Sequence, residues 1–269
     1  MEKLFIQNRN EKKIAVIVEK PEHPVGLAPL ETGKLLTGLA FIMHGLSGYK
    51  EEFHIEASAK AFLENNYTAV SFDARDTFGE SEGNYEDATV TSYYEDLEDV
   101  IQWAKTQEWY IEPFCLAAHS LGGLCIILYA EKHPEKIKGI APTSTIISPD
   151  LSMETSMYHG DKIKEWKKTG WMTKESLTRQ GLQKRLKYSH WEDRVKYDIL
   201  PEAHKLTMPV LLMTGEKDDP APPKHQQILF DKLPGRKEIH IIKDAEHVFS
   251  GEKQLNEIKD IMSRWIKTL

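Results

Sequence analysis

The feature that most constrains the fold is a set of short runs that are apolar almost throughout: Leu39–Met43, Ala69–Phe72, Phe114–Ala118, Ile137–Ala141, Val210–Met213 and Ile239–Ile242. A strand with one wet face alternates polar and apolar residues, whereas a strand covered on both faces has no reason to alternate. Such runs therefore predict a mostly parallel sheet buried on both sides. Parallel strands need long crossovers, and the intervening sequence supplies them. In "TVTSYYEDLEDVIQWAKTQEW" the residues Val90, Tyr93, Leu97, Val100, Ile101 and Ala104 recur every three or four positions, and Thr89 or Thr91 can cap the helix start. "QLNEIKDIMSRWIKTL" repeats the pattern with Leu255, Ile258, Met262, Trp265 and Ile266. Leu4–Ile6 and Ile14–Val18 flank the turn-forming "NRNEKK" and predict a hairpin at the sheet edge.

From about Thr145 to Leu200 the alternation of strand and helix stops. The stretch is rich in Lys, Glu, Ser and aromatics, including Tyr158, Trp166, Trp171, Tyr188 and Trp191. Roughly fifty residues are too many for a simple loop. The expected organisation is one α/β domain with a core over 1–144 and 201–269 and a small cap inserted at 145–200. A surface excursion whose aromatics pack on the core is the alternative.

With 269 residues, one sizeable core is affordable, and 40% hydrophobic with 29% charged residues is an ordinary globular balance. No stretch approaches the roughly 18 apolar residues of a membrane span. The first residues lack the apolar region and cleavage site of a secretory signal, so a cytoplasmic location is expected. Cys115 and Cys125 both sit in apolar stretches and are expected as buried free thiols. A net charge of −7 without a basic block gives no footprint for nucleic acid and favours small, neutral or weakly charged substrates.

Open α/β sheets bind ligands beyond the carboxyl ends of their strands. Four such ends carry chemistry: "HGLSG" (His44 to Gly48), "AHSLGG" (Ala118 to Gly123), "TGEKDDPAPP" (Thr214 to Pro223) and "DAEHVF" (Asp244 to Phe249). A serine hydroxyl is a poor nucleophile until an imidazole takes its proton, and that imidazole needs a carboxylate to fix its tautomer. Ser, Asp and His follow one another in that order at three of these ends. The usual elbow around such a serine reads G-x-S-x-G. Here its first position is Ala118, whose methyl requires a small facing neighbour.

These four motifs, in this order, resemble the α/β-hydrolases from about Leu35 to the C-terminus. The resemblance implies Ser120 as nucleophile, Asp218 as acid and His247 as base. The backbone N–H groups of Leu46 and Leu121 would form the oxyanion hole. Asp219 competes for the acid role, with the spacing from Gly215 favouring Asp218; His44, His119, His225 and His240 are rivals of His247. "DARDTFGESEG" (Asp73 to Gly83) departs from the family's D-x-R-G-x-G-x-S and reads as structural, with Phe78 able to line a pocket. Ser47, Phe78, Tyr158, Trp166 and Trp171 are the candidate substrate contacts, and no metal or organic cofactor is called for.

Within the family the pattern most resembles the single-domain esterases with a small inserted cap, a group including feruloyl and cinnamoyl esterases and monoacylglycerol-lipase-like enzymes. It implies hydrolysis of small or aryl-containing acyl esters through an acyl-enzyme. A monoacylglycerol lipase, a thioesterase and a serine aminopeptidase share the machinery. The peptidase would need an acid for the substrate amine, with Glu154, Asp161, Glu165 and Glu175 available. A catalytically silent ligand-binding protein is the alternative outside enzymes. Nothing in the chain sets an oligomeric state.

Overall fold

The structure, a computed structural model, describes residues 1–21, 38–175, 181 and 183–269. Leu35, where the expected family likeness begins, lies outside them. Eight strands form the main sheet: β1 (Glu2–Gln7), β2 (Lys13–Glu19), β3 (Gly38–Met43), β4 (Tyr67–Phe72), β5 (Phe114–His119), β6 (Ile137–Thr143), β9 (Val210–Gly215) and β10 (Lys237–Ile242). Their order is β1-β2-β4-β3-β5-β6-β9-β10. The first hairpin is antiparallel and β2 meets β4 antiparallel, while every other pairing is parallel. All six apolar runs are strands of this sheet.

The absence of alternation has a direct cause. Leu39, Phe41 and Met43 of β3 enter one core, and Ala40 and Ile42 enter the other. The first core is closed by α2 (Val90–Ala104), α3 (Leu121–Lys132) and Leu229 of α7 (Pro223–Lys232). The second is closed by α1 (Phe53–Glu64) and α8 (Glu252–Ile266), through Ile55, Phe62, Ile258 and Trp265. Thr89 caps α2 in a reciprocal capping box with Ser92. The mostly parallel sheet covered by helices on both faces is the α/β-hydrolase architecture.

Between β6 and β9 lie α4 (Pro149–Met153), α5 (Gly160–Thr169), the antiparallel hairpin of β7 (Trp171–Glu175) and β8 (Gln183–Lys187), and α6 (Ser189–Arg194). Tyr158 stacks on Trp191 with ring centres 5.2 Å apart, and Trp166 donates its indole N–H to the Leu186 carbonyl at 3.0 Å. These aromatics hold the hairpin against the rest of the molecule. Among the described residues no helix is long and apolar enough to cross a membrane.

Candidate active site

Ser120 stands between β5 and α3 with φ +53° and ψ −114°, a left-handed conformation that costs a non-glycine residue about 1–3 kcal/mol. Its neighbours fix it there. Its N–H donates to the Thr143 carbonyl at 2.9 Å, and its carbonyl accepts from Leu124 N–H at 3.3 Å. Gly122 passes so close to the preceding loop that a Cβ on it would fall 2.4 Å from the His44 carbonyl oxygen. Ala118 borders a small internal space lined also by His54, Ile55, Ser58, His119, Thr143 and Ile258.

The turn exposes the serine hydroxyl to His247. Nε2 of His247 lies 2.9 Å from Ser120 Oγ, and Nδ1 lies 3.0 Å from each carboxylate oxygen of Asp218. A carboxylate only accepts, so Nδ1 carries the hydrogen and Nε2 is left to accept the serine proton. Asp218 is fully buried at its carboxylate and also accepts the Ala221 N–H at 2.8 Å. Asp219 is exposed and turns the other way, accepting from the hydroxyl and N–H of Ser156. Asp244 pairs with Lys217 at 2.7 Å on the surface.

The rival histidines have other partners. His44 donates from Nδ1 to the Gly45 carbonyl at 2.7 Å and accepts the Ala74 N–H on Nε2 at 3.0 Å. Both nitrogens are thereby assigned and the ring is neutral, in keeping with burial that holds its pKa below the usual range. His119 donates from Nε2 to the backbone carbonyl of His247 at 2.8 Å, and burial likewise keeps it uncharged. It anchors the loop that carries His247. His225 contacts Glu154 at 3.3 Å, and His240 contacts Glu238 at 3.4 Å.

The loop after β3 crosses directly over the serine. A Cβ on Gly45 would lie 3.0 Å from both Ser120 Cβ and His119 Nδ1, so a side chain here would crowd the serine, and glycine eases the close approach. Leu46 and Leu121 consequently border the same space as Ser120. Behind this loop, buried Lys50 donates to Asp73 at 2.9 Å and to Glu51 at 3.1 Å, while Asp73 also accepts the N–H groups of Lys50 and Glu80. Asp73, Glu51 and Glu80 could in composition hold a cation, and the ammonium of Lys50 sits among them. The Asp73–Gly83 segment braces the loop.

A cavity of about 210 Å³ opens over Ser120. Among the described residues its wall is mostly apolar, with Leu46, Ile146, Met157, Tyr158, Met172 and Leu186, and it carries the charged side chains of Glu52, Lys174, Glu175 and Lys184. Burial pushes the Glu52 carboxyl up to about 7 against the opposing charge of Lys184. Ser47 and Tyr158 line this cavity. Phe78, Trp166 and Trp171 do not: Phe78 packs on Tyr85 at 4.7 Å, Trp166 is buried behind Tyr158, and Trp171 lies under the Arg185 guanidinium at 4.1 Å. Of the four acids weighed for a substrate amine, only Glu175 borders the cavity. Glu154 pairs with Lys224 at 2.6 Å, Asp161 with Lys164 at 3.2 Å, and Glu165 is exposed on α5. Sequence reasoning missed Tyr85, Met157, Met172, Lys174, Lys184 and Leu186. The period-two pattern of Met172 and Lys174 against Lys184 and Leu186 was the available signal.

The family described as serine aminopeptidase, S33, matches residues 36–196. An Escherichia coli relative, the uncharacterized 31.7 kDa protein in the traX-finO intergenic region, is 25% identical over 87% of this chain and 92% of its own length. Among solved structures, ferulic acid bound to Est1E from Butyrivibrio proteoclasticus aligns with a TM-score of 0.79 at 19% identity, covering 98% of each chain. A putative hydrolase from Agrobacterium vitis aligns with a TM-score of 0.77 at 17% identity over 98% of each chain. Alpha/beta hydrolase domain-containing protein 10 from mouse aligns with a TM-score of 0.73 at 18% identity over 100% of this chain and 99% of its own.

Proposed function

This chain belongs to the α/β-hydrolase family described as serine aminopeptidase, S33, and on that premise we propose that it is a serine carboxylic-ester hydrolase working through an acyl-enzyme. The observation that carries the proposal is the continuous hydrogen-bonded line from Asp218 through His247 to Ser120 at 3.0 and 2.9 Å. Ser120 Oγ attacks the ester carbonyl as its proton passes to His247 Nε2, and Asp218 stabilises the imidazolium. His247 returns the proton to the departing alcohol. Water then attacks the acyl-enzyme with His247 again as base, releasing the acid and restoring the serine.

The oxyanion of each tetrahedral intermediate is assigned to the N–H groups of Leu46 and Leu121. Leu121 opens α3, whose N-terminus favours negative charge. Glycine at Gly45 brings the Leu46 peptide over the serine. Losing one such donor typically costs on the order of a hundredfold or more in rate. The segment 145–200 acts as a cap, contributing Ile146, Met157, Tyr158, Met172 and Leu186 to the wall.

A cavity of about 210 Å³, below the roughly 300–1,000 Å³ common for ligand pockets, supports a small acyl group. The likeness to Est1E, a structure that holds ferulic acid, supports an aryl-containing one. An aminopeptidase would set Glu175 against the substrate amine, a reading favoured by its place at the cavity. A panel of p-nitrophenyl esters of increasing acyl length, with methyl ferulate, a monoacylglycerol, an acyl thioester and alanine p-nitroanilide, tests these readings. Short or aryl esters should be turned over fastest. Preference for acyl chains of about ten carbons or more, or for the anilide, would contradict the small-ester assignment.

A further inference from the structure

The inserted segment at 145–200 joins the core covalently at its two ends, so its place over Ser120 depends on the contacts between them. Two sets of contacts fasten it. At the start of α2, Asp193 accepts the N–H and the hydroxyl of Thr91 at 2.8 and 2.7 Å, and His190 donates to the Ala88 carbonyl at 2.9 Å. At the acid turn, Asp219 accepts the hydroxyl of Ser156 and its N–H, the latter at 3.4 Å, and Glu154 pairs with Lys224 of α7 at 2.6 Å. Lys162 closes the same stretch by donating to the Ser156 carbonyl at 2.7 Å.

The second fastening stands beside the site at both of its ends. Ser156 directly precedes Met157 and Tyr158, and Asp219 lies between Asp218 and Pro220; Met157, Tyr158 and Pro220 all border the cavity. The acid turn is a firm post. Asp218 N–H donates to the Gly215 carbonyl at 3.2 Å, Ala221 N–H to the Asp218 carboxylate at 2.8 Å, and the Thr214 hydroxyl to the Ala221 carbonyl at 2.9 Å. Tyr158 has a second hold in its ring stack on Trp191 of α6, whereas half-buried Met157 follows the Ser156 tether directly. Ser156 and Asp219 are both exposed, so their bond adds little to global stability, and losing it loosens this wall without unfolding the protein.

We propose that Asp219 is a positioning residue for substrate specificity: by holding Ser156 to the acid turn it keeps Met157 over the cavity and limits the acyl chain that fits beside Ser120. This rests on the serine-hydrolase reading above and assigns one residue to its preference for small acyl groups. Fastening the wall to the turn that carries Asp218 keeps the wall and the triad acid in one frame. A short acyl group fits whether the wall is held or loosened. A longer one gains room only when the wall is loosened, and each methylene that a pocket accepts or refuses changes kcat/KM appreciably.

The test is the acyl-length profile over p-nitrophenyl acetate, butyrate and octanoate. In Asp219→Ala the ratio of kcat/KM for octanoate to that for butyrate should rise by about three- to tenfold, through a lower KM for octanoate, with kcat for butyrate changed by no more than about twofold. Ser156→Ala should shift the ratio in the same direction, and the double variant should shift it by less than the product of the two, since both changes remove the same bond. Asp219→Asn keeps an acceptor oxygen and should stay close to the parent ratio. An unchanged ratio in Asp219→Ala, or one common loss across all three esters, would overturn the inference while leaving the hydrolase assignment standing. If no ester is turned over, that assignment falls and binding decides for the tether. Calorimetric titration of Ser120→Ala with p-nitrophenyl octanoate should show tighter binding once Asp219→Ala is added, and equal affinity overturns the tether.

Discussion

Ser120, His247 and Asp218 are joined by a line of hydrogen bonds in which the Asp218 carboxylate, able only to accept, sets the direction. Asp218 accepts from Nδ1 and from the Ala221 N–H, so replacing it with asparagine presents a donor where the ring also donates. Asp218→Asn should therefore lower kcat by roughly 10³–10⁴-fold with the fold retained, because the wrong tautomer faces the serine. Asp219→Asn should change kcat by no more than about twofold, since that carboxylate accepts from Ser156 instead. Steady-state kinetics on a short p-nitrophenyl ester checks both, and the reverse pattern would reassign the acid. At this scale the sequence was most informative where a residue type stood at a strand end. It was least informative for Phe78, Trp166 and Trp171, aromatics whose bulk suggested a pocket and whose packing went to Tyr85, Tyr158 and Arg185.

The element that does most to arrange the site is the β5–α3 turn, with the β3 loop laid over it. Gly122 is required by its approach to the His44 carbonyl, and Gly45 lies close against Ser120 and His119. Gly122→Ala forces a methyl to within 2.4 Å of the His44 carbonyl oxygen, which cannot swing aside without moving the loop. Overpacking of this kind costs about 1–3 kcal/mol, which for a chain of this size is a fall of several degrees in Tm. Thermal denaturation should show that fall, and ester hydrolysis should drop by a larger factor than stability alone accounts for. An unchanged Tm would mean that the loop and the elbow are less tightly coupled than the contact implies. The strands of the main sheet were legible because burial on both faces leaves an unmistakable run of apolar residues. The β7–β8 hairpin was not, because Trp171–Glu175 and Gln183–Lys187 are short and largely polar. Their place in the site shows only in the structure, where Met172, Lys174 and Glu175 of β7 and Lys184 and Leu186 of β8 border the cavity.

Across the whole molecule, two cores on either side of one sheet carry the fold, and some buried polar groups oppose it. Glu131 on α3 is buried, one carboxyl oxygen has no hydrogen-bond partner among the described residues, and burial raises its pKa to about 8. In the unfolded chain the same group titrates near 4.3. Between those values the folded state binds more protons than the unfolded one, so this group lowers stability as pH rises from about 4 to about 8. Glu131→Gln should raise Tm by a few degrees at pH 8 and leave it almost unchanged at pH 4. Scanning calorimetry at the two pH values checks the sign, and equal effects at both would remove ionisation as the cause.

The central claim is that Ser120 is a nucleophile activated by His247. Its most direct measurement is the covalent labelling of the folded protein by a fluorophosphonate probe, read by intact mass and peptide mapping. A single adduct on Ser120, absent from Ser120→Ala and formed at least a hundredfold more slowly by His247→Ala, is the predicted result. A folded protein that takes up no adduct at Ser120, or labels equally fast without His247, would contradict it.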